Sequence, residues 1–157
     1  MLSFESLAKK IVAVSKIKIR VYLFGSQARK GGGESRSQDI DIVFELEEPF
    51  FEEYKERCQL AGLHYVCGVY DPLSMYWEYH SPKTLRNEAA LETIGLAPEE
   101  IEGIFIEWRP NLIDELDIIC LPRGWKEGEK YRDLDKEFSR RDPKFMENLA
   151  REAVLLS

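Results

Sequence analysis

A chain of 157 residues is long enough to bury one core, and 44% hydrophobic against 32% charged residues is ordinary globular usage that excludes a disordered chain. The 22 Lys and Arg against 29 Asp and Glu give a net charge of -7, which argues against a surface that binds polyanions as a whole but allows a local basic site. No apolar run approaches the ~20 residues of a membrane span, the first residues lack a signal-peptide pattern, and Cys58, Cys67 and Cys120 form an odd, sparse set, so a cytoplasmic protein with reduced thiols and no membrane partner is expected.

Ser3 can cap a helix over residues 3–15, because Phe4, Leu7, Ala8, Ile11 and Val12 recur on one helical face. Residues 20–24 are β-branched and aromatic and stop at Gly25, as a buried strand does at a turn. The loop 30–38 is rich in Gly and Ser, and residues 39–44 read as a second strand. Pro49 suits the first turn of a helix that Gly62 ends, with Phe50, Phe51, Tyr54 and Cys58 as its buried stripe. A strand is expected at 64–70, followed by a tail interrupted at Asp71-Pro72. Ser81-Pro82 and Ala97-Pro98 open two further helices with Gly95 as a stop between them. Strands are expected at 104–108 and 116–121, and Asp142-Pro143 opens a closing helix with Phe145, Met146, Leu149, Ala150 and Val154 inward.

The chemistry lies between residues 23 and 43. In a strand, side chains alternate faces, so Asp39 and Asp41 project to one side while Ile40 and Ile42 turn to the core. Two carboxylates so close repel, unless a hard divalent cation neutralises both; magnesium fits, because it takes oxygen ligands and pairs with phosphates. Upstream, Gly25-Ser26 ends a strand where backbone N–H groups and a small hydroxyl can hold phosphate oxygens. Eight basic and two acidic residues precede Asp39, in a protein otherwise acidic. That is the local balance a metal-bound triphosphate requires.

The pattern Gly25-Ser26, twelve residues, Asp39-Ile40-Asp41 resembles the polymerase-beta-type nucleotidyltransferases, most closely the minimal members with their GSxARG loop and SDIDL strand. Gly31 sits one place later than the family's glycine, and Gln38 stands where the family has serine. The resemblance implies an α/β (α+β) fold, a small mixed sheet flanked by helices. Residues 1–157 would then form one domain, with an insertion at about 62–108 and a C-terminal helix at about 142–156. It also implies an enzyme with two magnesium ions. Such an enzyme moves a nucleoside monophosphate from a nucleoside triphosphate, ATP being the expected one, to an acceptor hydroxyl with release of pyrophosphate. By that comparison Asp39 and Asp41 bind metal, and Gly25 and Ser26 hold the triphosphate; Arg29, by its position beside that loop, is a further candidate phosphate ligand. The family's third carboxylate, a metal ligand that helps deprotonate the acceptor, best matches Asp117 in Leu116-Asp117-Ile118-Ile119, with Asp71 and Asp114 as fallbacks.

A small-molecule hydroxyl such as that of an aminoglycoside, a protein side chain or an RNA end would each fit the reaction. The acidic balance disfavours a large RNA and favours a cationic small molecule or a protein. The alternative is a nucleotidyltransferase-like binding module, such as an antitoxin-like partner protein, that is catalytically weak or inactive. Cys58, His64 and Cys67 lack the CxxC spacing of a zinc site, and Tyr65, Tyr70, Tyr76, Trp77 and Tyr79 read first as packing residues.

Overall fold

The computed structural model describes residues 4–24, 40–63, 65, 69–71, 76–78, 81–97, 99–100, 103, 116–127 and 145–157. The stripe Phe4, Leu7, Ala8 and Ile11 is buried along α1 (Phe4–Val14). A short turn then leads into β1 (Ile19–Phe24), which pairs antiparallel with β2 (Ile40–Leu46). Pro49 sits in the first turn of α2 (Glu48–Leu60), whose inward residues are Phe51, Tyr54 and Cys58. The chain leaves α2 through Gly62 at φ +74°, a left-handed conformation that glycine adopts without a Cβ clash.

The aromatic stretch after α2 differs from the single strand expected at 64–70. It carries a hairpin of β3 (Val69–Asp71) and β4 (Tyr76–Glu78), separate from the main sheet. Tyr76–Glu78 supplies an antiparallel partner for Val69–Asp71, so the run pairs with itself. Next comes α3 (Ser81–Thr93), ended by Gly95 at φ +85°. A Cβ at Gly95 would run into the Lys16 side chain, with Lys16 Cβ only 2.7 Å away. Lys16 N also donates to Ile94 O at 2.8 Å, so the end of α3 is fastened to the α1–β1 turn. Glu99, Glu100 and Gly103 are helical, in line with a helix start at Ala97-Pro98, whereas the strand expected at 104–108 lies outside the described residues.

β5 (Leu116–Pro122) runs parallel to β2 and is the outer strand of a mixed sheet ordered β5-β2-β1-β6. The closing helix, α4, is Phe145–Glu152 and stops short of the expected 156. Val154 and Leu155 instead form β6, antiparallel to β1, and stay about half exposed rather than turning inward. The free backbone edge of β1 explains the difference: Leu156 N donates to Val21 O and Val21 N to Ser157 O.

β1, β2 and β5 are nearly continuous apolar runs buried on both faces. Val21, Val43, Phe44, Leu46, Leu116, Cys120 and Leu121 are fully buried. Tyr22 meets Trp125 edge to face at 5.2 Å between ring centres, so the turn after β5 covers that side of the sheet. α2 and α3 pack on each other and on β5, and α1 packs on β1. The fold is thus α+β, a four-stranded mixed sheet with flanking helices. Among the described residues no helix is long and apolar enough to cross a membrane.

Candidate functional site

The parallel register places Asp41 directly beside Asp117, and the antiparallel register places Phe24 on the other side of Asp41. Residues in register on neighbouring strands share a face, so the two carboxylates project side by side from strands about 4.8 Å apart. Ile42 and Ile118, the next pair, turn to the other face and are buried. Asp41 and Asp117 both stay partly open, whereas the strand residues that follow them are buried. An aspartate opposite an aspartate destabilises a sheet unless the charge is offset.

The offset comes from α3. Arg86, only 4% exposed, donates from Nη2 to Asp117 Oδ1 at 2.6 Å. The next residue, Asn87, is also buried and clamps the outer edge of β5: its Nδ2 donates to Leu116 O at 2.9 Å, and its Oδ1 accepts from Ile118 N at 2.8 Å. One side-chain amide thus takes the place of a neighbouring strand on both sides of Asp117. Replacing Asn87 with alanine leaves that C=O and N–H buried without this partner, and is expected to cost about 2 kcal/mol in chemical denaturation.

Of the residues singled out in the sequence, Asp41 and Asp117 are brought together, from positions 76 residues apart in the chain. Asp39, Gly25, Ser26 and Arg29 lie outside the described residues, as does the fallback Asp114. Their immediate chain neighbours are described: Phe24 pairs with Asp41, and Ile40 pairs with Leu116. Asp71, the other fallback, is in the separate hairpin. A charged recess at the opposite end of the strands, lined by Lys18, Arg20, Glu45, Glu47 and Arg123, has its own internal ion pair, Arg20 to Glu45 at 3.8 Å.

Arg86 and Asn87 escape a reading of motifs. Their trace is positional: each stands four residues before a buried apolar residue, Ala90 and Leu91, on the inward face of α3. A buried arginine and asparagine on such a face need partners, and that need is the signal.

The described donors suit a hard cation. Asp41 and Asp117 offer carboxylate oxygens from register positions on adjacent strands, and such oxygens match magnesium in chemistry. Among the described residues no cluster of three or more His, Cys, Asp or Glu side chains that could hold a metal ion occurs. Burial pushes the thiols of Cys58 and Cys120 up, so both stay protonated at neutral pH and make poor nucleophiles or metal ligands.

No family model matches the chain, and neither the curated proteins nor the solved structures contain a match to it.

Proposed function

We propose that the chain is a magnesium-dependent nucleotidyltransferase that moves a nucleoside monophosphate from a nucleoside triphosphate, ATP first among them, to an acceptor hydroxyl. The observation that carries this reading is the in-register pair Asp41 and Asp117 on adjacent parallel strands. It is joined by the sequence pattern that links Asp41 through Asp39 to Gly25-Ser26, immediately after the strand residue Phe24 that pairs with Asp41.

In this reading Asp39, Asp41 and Asp117 hold two magnesium ions, Gly25 and Ser26 bind the triphosphate tail, and Arg29 adds a positive charge beside it. The bound metal supplies charge neutralisation of the phosphates and acidification of the acceptor hydroxyl. The chain's own part is to fix the carboxylates, to orient the triphosphate through the Gly25-Ser26 backbone and hydroxyl, and to place the acceptor in line with the α-phosphorus. Asp117 receives or relays the acceptor's proton. The acceptor is a small-molecule or protein hydroxyl, in keeping with the acidic balance of the chain.

Pyrophosphate release from each nucleoside triphosphate, with magnesium and a panel of aminoglycoside and protein acceptors, tests the reading. Magnesium-dependent release is expected. If calorimetry shows no binding of a magnesium triphosphate at all, the reading fails. Binding without transfer would favour the second reading, a binding module in which Asp117 serves mainly as the counter-charge of Arg86. A smaller effect is expected at Ser26: Ser26→Ala removes one hydroxyl contact and weakens nucleotide binding by roughly 0.5–1.5 kcal/mol, while backbone N–H contacts survive. Titration calorimetry with a non-hydrolysable triphosphate measures it, and unchanged affinity would put the phosphates elsewhere.

A further inference from the structure

Arg86 brings a full positive charge to the place where a cation is expected. It is buried, it reaches Asp117 from α3 at 2.6 Å, and Asp117 stands in register with Asp41. Asn87 makes this charge hard to remove, because its two bonds to Leu116 and Ile118 tie the same turn of α3 to the strand that carries Asp117. The packing of α3 on β5 and the fastening of its far end to Lys16 act in the same direction.

We propose that Arg86 is the resident counter-cation of the Asp41–Asp117 pair, and that it lowers the site's affinity for a free divalent ion so that the ion enters together with a triphosphate. This rests on the nucleotidyltransferase reading of the same site. Two carboxylates alone would attract a divalent ion strongly. With a guanidinium on one of them, half of that attraction is already spent, and the ion meets a like charge at short range in a partly desolvated place. The negative charge of a triphosphate restores the attraction. Arg86 is therefore a positioning residue that acts through Asp117.

Electron paramagnetic resonance titration of manganese tests this with the whole chain. For the wild type, weak manganese binding is expected without nucleotide and tighter binding with a non-hydrolysable triphosphate. Arg86→Met should tighten manganese binding without nucleotide by about ten-fold or more, as expected for removing a unit charge a few ångströms from the ion. Arg86→Lys, which keeps the charge, should stay near the wild type, and adding Asp117→Asn to Arg86→Met should abolish the gain. Unchanged or weaker binding in Arg86→Met overturns the proposal. A merely structural ion pair predicts that result, since loosening the strand would harm the site. If Arg86→Met does not fold, the wild type decides: tight manganese binding without nucleotide overturns the proposal. Failure of the parent reading looks different, since the wild type would then bind no manganese even with the triphosphate present.

Discussion

Asp117→Ala is expected to lose both transfer and a large part of the fold's stability, about 3 kcal/mol in urea denaturation. The stability loss follows from Arg86 rather than from the aspartate itself. Asp117 is 27% exposed at its side chain and can be hydrated, but Arg86 is 5% exposed there and cannot recover the lost partner from water. Removing one member of such a pair leaves the other buried with that counter-charge gone, and the buried residue carries most of the penalty. Removing both should cost less than removing one. The double variant Asp117→Ala with Arg86→Met is thus expected to regain much of the stability while remaining inactive, a non-additivity that a double-mutant cycle measures directly. An Asp117→Ala variant as stable as the wild type would show that the ion pair contributes little to the fold.

The same pair of residues shows which parts of the molecule were legible in advance. Strand β2 could be read from the alternation of Asp39, Ile40, Asp41 and Ile42, and β5 from Leu116, Ile118 and Ile119 around one acid. Pro49 with Gly62, and Ser81-Pro82 with Gly95, bracketed α2 and α3 because proline and glycine act through local backbone geometry. The resemblance picks out Asp117 as a companion of the Asp39-Asp41 strand, and the parallel register of β2 and β5 sets Asp117 beside Asp41.

What could not be read depends on partners far along the chain. Val154 and Leu155 continue a helical pattern on paper, yet the unpaired edge of β1 draws them into a strand. Asn87 has no distinguishing neighbours in sequence, and its role arises because Leu116 O and Ile118 N point away from β2 and take its side-chain amide as partner. Local rules place elements; the outer edges of a sheet, and the side chains that close them, depend on tertiary context.

Asp41→Ala should separate chemistry from stability in a way that Asp117→Ala cannot. Its carboxylate stands in register with Asp117 and is partly open, so the substitution removes one of two like charges at a position that water reaches. Arg86 keeps its bond to Asp117 Oδ1 in this variant, so no buried charge is stranded. Stability is therefore expected to stay within about 1 kcal/mol of the wild type, the ordinary range for a partly exposed position. Transfer, in contrast, should fall by about a thousand-fold or more, equivalent to about 4 kcal/mol of lost transition-state stabilisation, because the pair that would hold the metal against the triphosphate has lost a member. Pyrophosphate release and urea denaturation on the same preparation check both halves. Wild-type turnover in Asp41→Ala would end the catalytic reading, whereas lost turnover with intact folding would assign Asp41 to chemistry and leave Asp117 as the residue that serves both the site and the fold. The two aspartates are adjacent in register, and the ion pair of Asp117 with the buried Arg86 ties that residue to the fold as well as to the site.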